Sequence, residues 1–400
     1  MGKDLARQGC PTLYAAPGAN IAKGAPTAVQ YAQTAGAGGS NDTHMAITDA
    51  PWAGPSDWFT QGGRWKQRYI KKFTNTVDGA GYTDWEIWGS QFNILDNVWA
   101  KAEVPAYTSW KRRCGFCHIT GTDKANLFSD KVEIGVGCEA CHGPGSAHAA
   151  ATSDDERELT ITNPAKLTKE AAAAVCGKCH NRGWTTSNYT GVGAAKYSGV
   201  GPKADQCDFA LNHELGATTI ADWNIDPDGY WNSGETDPSK RVPLKHRMQY
   251  PDLSSSKHGK YTSCSDCHRG HTFRIENTSD NNLCTKCHYS VAARASLVSH
   301  AKHPYSATTD GAMGSNLLCI TCHMVRTAKT ATANDETGHT LMKFTPAVED
   351  AKKPGTFSPS TCSQSRLGCH VNEPKGNLSQ AAFDSPVAGS LIARWKALVY

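Results

Sequence analysis

Cysteine and histidine recur together along the chain in one fixed spacing. The sequence holds 16 Cys and 16 His in 400 residues, and six segments read Cys-x-x-Cys-His. Random placement at this composition would give only about 0.03 such segments. The six segments, numbered motif 1 to motif 6 in chain order, are Cys114/Cys117/His118, Cys138/Cys141/His142, Cys176/Cys179/His180, Cys264/Cys267/His268, Cys284/Cys287/His288 and Cys319/Cys322/His323.

The spacing of these motifs matches the chemistry of covalent haem attachment. Two cysteines three positions apart lie on one side of a helical turn, where their sulfurs can bond the two vinyl-derived carbons of one porphyrin edge. The histidine that follows can then ligate the iron. Zinc sites also use paired cysteines, but they do not require His after the second Cys every time. We therefore interpret the motifs as haem c sites, and the repeated His excludes a thioredoxin-like redox pair.

A seventh and less regular site follows near the end of the sequence. Cys362 and Cys369 enclose six residues and precede His370. A haem could be held there with the extra residues looped out, whereas the alternative is an ordinary Cys-His pair and a disulfide. Seven haems would leave Cys10 and Cys207, which could pair in an oxidising compartment. We favour seven haem c groups, or six if this site is not used.

Nine further histidines could supply the second axial ligand of each iron. Two His ligands make the iron six-coordinate and suit it to electron transfer. Seven haems need seven such ligands, so two of the nine would be spare. His148 and His271 follow haem motifs closely, and we expect each to face the iron of a neighbouring haem. The nine candidates are His44, His148, His213, His246, His258, His271, His300, His303 and His339.

The composition indicates a loop-rich chain whose interior is built around haem. Gly (37) and Pro (19) are plentiful, whereas long aliphatic stretches are missing. We predict a haem-cored multihaem cytochrome that is mostly irregular coil, with short α-helices and little β-structure. Covalent and axial bonds to haem would offset the small aliphatic core, much as metals do in small domains.

Four segments follow from the placement of the motifs. We predict a haem-free, aromatic-rich N-terminal segment (1–113), a three-haem segment (114–182), a Gly/Tyr-rich connector that supplies distal His (183–262), and a segment with the remaining haems and a C-terminal helix at 390–398 (263–400). Residues 64–73 and 84–88 have strand-like composition around a turn at 77–81, which predicts one β-hairpin. Residues 169–175 predict a helix, with Thr168 as its N-cap.

The net charge and the hydropathy of the chain limit the kinds of partner that we expect it to have. The formal charge of +4 does not indicate nucleic acid, because Lys and Arg are expected to neutralise haem propionates. No apolar run is long enough for a membrane span. No signal peptide is visible after Met1, although haem attachment normally takes place outside the cytoplasm. We therefore expect that an export signal has been removed or lies upstream of this start.

Several stretches of the sequence occur in the same order as in a known class of proteins. They are residues 63–69 (Gly-Arg-Trp-Lys-Gln-Arg-Tyr), the flanks of motifs 1 and 3, and above all the Cys-His-Gly-Pro-Gly-Ser-Ala-His stretch ending at His148. The chain resembles secreted multihaem c-type cytochromes of metal-respiring microbes. That group includes outer-surface cytochromes that polymerise into conductive filaments. The resemblance covers roughly residues 44–340.

The resemblance has functional implications. It implies an extracellular or cell-surface homopolymer that passes electrons along stacked haems to redox proteins or to acceptors such as metal oxides. It also makes His44 the candidate for the ligand of an iron in a neighbouring subunit, whereas its position 70 residues before motif 1 equally allows an iron of its own chain that is reached by tertiary contact. One departure is that relatives often carry a haem motif before the position of His44, where this chain has only Cys10.

Three functions are compatible with the sequence. The leading one is an extracellular, filament-like electron conduit, and one alternative is a discrete periplasmic electron shuttle. The other is a multihaem reductase of nitrite, hydroxylamine or sulfur oxyanions, which needs a haem with an open distal face and acid/base groups beside it. No Cys-x-x-Cys-Lys occurs, and the supply of His suffices for every haem. We therefore predict an electron carrier without catalytic residues.

Overall fold

The structure of the protein is a computed structural model that describes the central part of the chain and four strands before it. Within residues 58–101 and for a few later strand residues only the backbone is described. The C-terminal helix predicted at 390–398 lies outside the described residues. Those residues are 58–61, 66–75, 82–93, 98–101, 114, 116–121, 133–134, 136–185, 213–221, 223–273, 275, 281–293, 296, 300, 318–361 and 363.

A four-stranded antiparallel sheet precedes the first haem motif. The predicted hairpin is confirmed as β2 and β3, which pair from Lys66↔Asn93 to Asn75↔Tyr82 with a register shift after Arg68. The sheet is larger than the prediction, because a short strand flanks the hairpin on each side in the order β1-β2-β3-β4. The four strands are β1 (Trp58–Gln61), β2 (Lys66–Asn75), β3 (Tyr82–Asn93) and β4 (Val98–Lys101).

The remaining described elements are short and are separated by irregular chain, which confirms the predicted fold class. The α-helices are α1 (Phe116–His118), α2 (Glu139–His142), α3 (Ser146–Ala150), α4 (Asp154–Leu159), α5 (Lys169–Gly177), α6 (Gln249–Ser255), α7 (Asn282–Thr285) and α8 (Cys319–His323). Three two-stranded antiparallel sheets pair β5 (Ile119–Thr120) with β6 (Glu133–Ile134), β7 (Gly183–Thr185) with β8 (Trp223–Ile225), and β9 (Arg326–Ala328) with β10 (Glu336–Thr337). Single 3₁₀ turns form at 164–166, 227–229, 238–240, 257–260, 264–266 and 289–291.

Helix α5 forms where the sequence predicts it and leads directly into motif 3. Alanine has the highest helix propensity, and four consecutive alanines are the first buried residues of α5. Thr168 is the N-cap, and its Oγ1 accepts a hydrogen bond from the Ala171 N–H at 3.2 Å. The small side chains let other segments of the chain approach closely, and Cys176 of motif 3 lies in the last turn of the helix.

The chain divides into two compact units. Unit 1 comprises Met1–Asp226 and Thr262–Arg274, and unit 2 comprises Pro227–Tyr261 and Ile275–Tyr400. Motifs 1 to 4 therefore belong to unit 1, whereas motifs 5 and 6 belong to unit 2. The four-segment division at residues 113, 182 and 262 stays a prediction.

The described interior of unit 2 contains few large aliphatic side chains. Val242 and Met248 are fully buried, together with hydroxyl-bearing residues whose side chains bond the backbone. The Trp231 Nε1–H donates to the Thr327 carbonyl oxygen at 3.0 Å, and the Thr327 hydroxyl donates to the Pro243 carbonyl oxygen at 2.7 Å. Among the described residues, no helix is long and apolar enough to cross a membrane.

Candidate haem-binding sites

Each fully described motif is folded as one helical turn closed on the carbonyl oxygen of its first cysteine. In motifs 2 to 5, the amides of the second Cys and of the His both donate to that oxygen, at 2.8–3.2 Å. In motif 6, the five residues form helix α8. The turn brings both sulfurs and the imidazole to the same side of the backbone, as haem c attachment requires.

None of the cysteines of the six motifs forms a disulfide, so each sulfur could bond a haem vinyl group. Most are half-buried, whereas Cys138 and Cys287 are exposed. The predicted role of these residues as the covalent anchors of haem stays a prediction. The twelve cysteines are Cys114, Cys117, Cys138, Cys141, Cys176, Cys179, Cys264, Cys267, Cys284, Cys287, Cys319 and Cys322.

The second cysteines of motifs 4, 5 and 6 are placed mainly by the turn of their own motif. The N–H groups of Cys267 and Cys287 each donate to the carbonyl oxygen of the first cysteine at 3.2 Å. The Cys322 carbonyl oxygen accepts the Thr361 hydroxyl at 3.1 Å, which ties motif 6 to a later segment of unit 2. These contacts position the backbone of Cys267, Cys287 and Cys322, whose role as haem anchors stays a prediction.

Five of the histidines share one hydrogen-bonding pattern. In each, the ring Nδ1 lies 2.8–3.2 Å from a backbone carbonyl oxygen. Because that oxygen can only accept, Nδ1 carries the proton and the lone pair lies on Nε2, the atom that would bind iron. This bond also orients the ring and makes the ligand more basic. The pairs are His142 with Thr162, His148 with Arg157, His268 with Phe273, His323 with Met342, and His339 with Thr337.

Three pairs of histidine rings stand at the separation that one iron would impose. A metal lies about 2 Å from each imidazole nitrogen and each ring centroid lies about 1 Å further out, so two axial rings have centroids about 6 Å apart. The observed centroid distances are 6.2 Å for His142 and His271, 5.9 Å for His258 and His288, and 5.9 Å for His300 and His323. Each pair joins one motif histidine with one histidine from outside the motifs.

His213 also lies beside a haem motif and is electrostatically unusual. Both ring nitrogens are buried without a hydrogen-bond partner. Burial lowers the pKa of His213, and the positive charge of Lys178 within motif 3 lowers it further. The nearby Thr219 backbone acts in the opposite direction and raises the pKa of His213, although it does not form a hydrogen bond with either ring nitrogen. Buried polar atoms are rarely left unpaired, so a neutral imidazole here fits an axial ligand.

In unit 1, motif 3 contacts the three other motifs. The Lys178 ammonium donates to the Ala140 carbonyl oxygen inside motif 2. A hydrogen bond to Cys117 raises the pKa of the Cys179 thiol, which places motif 1 beside motif 3. A similar bond raises the pKa of Cys176 and lowers that of its partner, Cys264 of motif 4.

Helix α5 strengthens the contact between motifs 3 and 4. The Cys264 Sγ lies 4.0 Å from the Ala173 carbonyl oxygen, an approach that the small alanines of the helix allow. At the start of the helix, the Lys169 ammonium forms an ion pair with the Asp266 carboxylate at 2.7 Å. Asp266 lies between the two cysteines of motif 4 and also accepts the Ser263 N–H at 2.7 Å, so the same carboxylate braces the motif 4 turn.

In unit 2, motifs 5 and 6 are brought together in a similar way. A hydrogen bond between the thiols of Cys284 and Cys319 lowers the pKa of Cys319 to about 7 and raises that of Cys284. Burial lowers the pKa of His258, and His288 and His323 lower it further. The ring pairs of the two motifs therefore lie close to each other.

The structure places some of the predicted site residues together and leaves others outside its description. His271, predicted to face a neighbouring haem, stands beside His142 of motif 2 rather than beside its own motif 4. His180 and His246 also lie among the described residues. The iron-ligand roles of all these histidines stay predictions. Residues Cys10, His44, Cys207, His303, Cys362, Cys369 and His370 lie outside the described residues.

Sequence reasoning missed two side chains, Lys178 and Asn281, that tie one motif to another. Lys178 occupies a variable position of motif 3 and binds the backbone of motif 2. Asn281 precedes motif 5 and binds the backbone of motif 6, where its Oδ1 accepts the Cys319 N–H at 2.7 Å. Nothing in the local sequence marks either residue, because the contact depends on segments far apart in the chain. Among the described residues, no group of three or more His, Cys, Asp or Glu is arranged to hold a bare metal ion.

Comparisons with known proteins agree with the haem chemistry of the motifs. Residues 85–143, which contain motifs 1 and 2, match the family model for cytochrome c554 and c-prime. The fold is similar to that of the outer cell wall cytochrome OcwA, with a TM-score of 0.52 and 17% identity over 89% of this chain and 83% of that chain. No curated protein matches the chain. The matched segment and the similar fold support the interpretation of the chain as a multihaem c-type cytochrome.

Proposed function

We propose that the protein conducts electrons through a chain of haem c groups, each held between two histidines. The single observation that carries this proposal is the set of ring pairs at 5.9–6.2 Å. On this basis, the distal ligand is His271 for motif 2, His258 for motif 5 and His300 for motif 6. These assignments agree with the chemistry of bis-His haem proteins, in which a second imidazole closes the distal face of the iron.

The residues of the chain suit an electron carrier better than a reductase. Haem c supplies a one-electron iron couple when it is bound. A second His on the iron occupies the position that a substrate would need. The Nδ1–H bonds to backbone carbonyls hold the rings in place in both oxidation states and raise ligand basicity, which favours ferric iron and a low potential. The protein therefore needs no acid or base at these sites.

Contacts between motifs support a continuous path within each unit. A thioether sulfur is separated from the porphyrin edge by a single carbon, so two sulfurs in contact bring two porphyrin edges close together. Such contacts join Cys117 with Cys179 and Cys176 with Cys264 in unit 1, and Cys284 with Cys319 in unit 2.

Carbon monoxide binding to the dithionite-reduced protein tests the proposal directly. The absorption spectrum of the parent protein should not change, since every iron already has six ligands. His271→Ala should open the haem of motif 2 and bind one equivalent of carbon monoxide. Arg269→Ala is a matched control, because Arg269 is an exposed neighbour whose carbonyl oxygen still accepts from Thr272 and Phe273.

Two outcomes would contradict the proposal. If His271→Ala binds no carbon monoxide, the assignment of His271 is wrong. If the parent protein itself binds about one equivalent, one distal face is open and the reductase function is favoured.

The location and the assembly of the protein form the second part of the proposal. We infer that it works outside the cytoplasm, at the cell surface, as a homopolymer that passes electrons to redox proteins or to metal oxides, with seven haems per chain. The fold shared with an outer cell wall cytochrome and the sequence resemblance to filament-forming cytochromes support this inference. Electron microscopy of the purified protein separates a filament from a discrete periplasmic shuttle, and mass spectrometry counts the haems.

The role of His44 can be tested in the same material. If His44 ligates an iron in the next subunit, His44→Ala should abolish filaments and leave one haem per chain able to bind carbon monoxide. Filaments that persist with every iron six-coordinate would exclude His44 as that ligand.

A further inference from the structure

Asn281 links the two haem motifs of unit 2 through its side chain. Its Oδ1 accepts the N–H of Cys319, the first residue of motif 6, at 2.7 Å. The two residues are 38 positions apart in the sequence, so the bond closes a long stretch of chain. Bonds between distant segments fix geometry that the local sequence cannot, because each end is otherwise free to move with its own segment.

The backbone of Asn281 is at the same time part of the motif 5 turn. Its carbonyl oxygen accepts the N–H groups of Cys284 and Thr285, both at 2.9 Å. The Thr285 hydroxyl donates to the same oxygen at 3.1 Å. Asn281 is therefore held firmly on motif 5 by its main chain while its amide holds motif 6, and one residue fixes the distance between the two turns.

The groups that would hold the two haems lie close to this link. The thiols of Cys284 and Cys319 are in contact, and each thiol would become the thioether that anchors a porphyrin edge. The ring pairs of the two motifs, His258 with His288 and His300 with His323, each have centroids 5.9 Å apart. A shift of the motif 6 turn relative to motif 5 would move one porphyrin edge away from the other.

We propose that Asn281 is a positioning residue that sets the spacing between the haems of motifs 5 and 6 and so makes them an electronically coupled pair. The proposal rests on the proposed electron-transfer function and deepens it. Asn281 contacts the backbone of both motifs and needs no contact with either haem. Two haems at close range couple their Soret transitions, and circular dichroism reports this coupling as two lobes of opposite sign.

Circular dichroism of the oxidised holoprotein tests the role of Asn281. Asn281→Ala should keep its full haem content and its α-band but lose most of the couplet contributed by this pair, seen as a two-lobed parent-minus-variant difference spectrum. Asn281→Asp retains an oxygen acceptor for the Cys319 N–H and should restore the couplet. Asn163→Ala is a matched control, because Asn163 Oδ1 also accepts a backbone N–H, that of Ala165 at 3.0 Å, without joining two motifs.

The outcomes separate this proposal from the function on which it rests. A flat difference spectrum for Asn281→Ala, with all haems present, overturns the positioning role. If Asn281→Ala is deficient in haem, the result for Asn281→Asp decides between the two explanations. Restoration of both the haem content and the couplet in Asn281→Asp supports the proposal. Failure to restore either one overturns it. Carbon monoxide binding by the parent protein would instead contradict the bis-His conduit and leave the spacing result intact.

Discussion

Replacement of Arg182 should destabilise the protein strongly, because its partner is a buried charge. The Arg182 Nε–H donates to Asp226 Oδ2 at 2.8 Å, and the two side chains are only 14% and 7% exposed. In addition, the Asp226 N–H donates to the Arg182 carbonyl oxygen at 2.9 Å, which extends the pairing of β7 with β8. Arg182 also follows His180 of motif 3 by two residues, so this pair anchors the motif to the sheet.

The magnitude follows from the burial of the pair. Loss of one partner from a buried ion pair costs about 3–5 kcal/mol, since the remaining charge is left in a poorly solvating environment. Arg182 is slightly exposed, so we expect about 3 kcal/mol for Arg182→Met. The double variant Arg182→Met/Asp226→Asn should recover much of this loss, because neither charge is then buried.

The assay is guanidinium unfolding of the holoprotein, followed by far-ultraviolet circular dichroism. Lys166→Met is the matched control, because the Lys166 and Glu158 side chains form an ion pair at 2.7 Å but are 62% and 71% exposed. Exposed pairs contribute little, so the control should unfold at the parent's midpoint. An Arg182→Met midpoint no lower than that of the control would refute the buried-charge reasoning.

Three further changes test other parts of the structure. Thr168→Ala should cost about 1 kcal/mol in unfolding free energy, since the Ala171 N–H loses its acceptor, whereas Thr168→Ser should keep it. Gly183→Ala should lower the free energy of unfolding by about 3 kcal/mol, because the added Cβ would lie 1.9 Å from the Asn224 carbonyl oxygen. A melting temperature equal to that of the parent protein would contradict this expectation. Burial raises the pKa of the Asp252 carboxyl well above its usual value. The folded state therefore binds this proton more tightly than the unfolded state does. As a result, the free energy of unfolding falls as the pH rises from the ordinary pKa to the raised one. Asp252→Asn should flatten that fall in melting temperature across a pH series.

The sequence predicted those features whose cause is local. In motifs 2 to 5, the Cys-x-x-Cys-His segment closes a helical turn on the carbonyl oxygen of its own first cysteine, so the local spacing is enough to produce this geometry. Helix α5 was also predictable, since alanine propensity and the Thr168 cap lie within a few residues of each other. The β2–β3 hairpin followed from two strand-like runs around a turn, whereas the flanking strands β1 and β4 are only four residues long and gave no periodic signal.

Features that depend on distant segments could not be predicted from the sequence. The rings of His142 and His271 lie 6.2 Å apart, although the two residues are separated by more than a hundred positions in the sequence. On sequence grounds, the histidines of the motifs between them would be equally plausible partners for His271. The same holds for Asn281, whose amide would suit a solvent-exposed turn as well as it suits the Cys319 N–H. The sequence predicts which side chains bind haem, and tertiary contacts bring particular pairs of them together.

The division of the chain into two units has a consequence for biosynthesis. Thr262–Arg274, which carries motif 4 and His271, belongs to unit 1 but follows Pro227–Tyr261 of unit 2. A chain that emerges from its N-terminus must therefore expose an incomplete piece of unit 2 before unit 1 can close. A protein truncated after Asp226 would retain motif 2 intact and still lack His271, whose ring lies 6.2 Å from that of His142. The completion of this ring pair would therefore wait for a segment made much later.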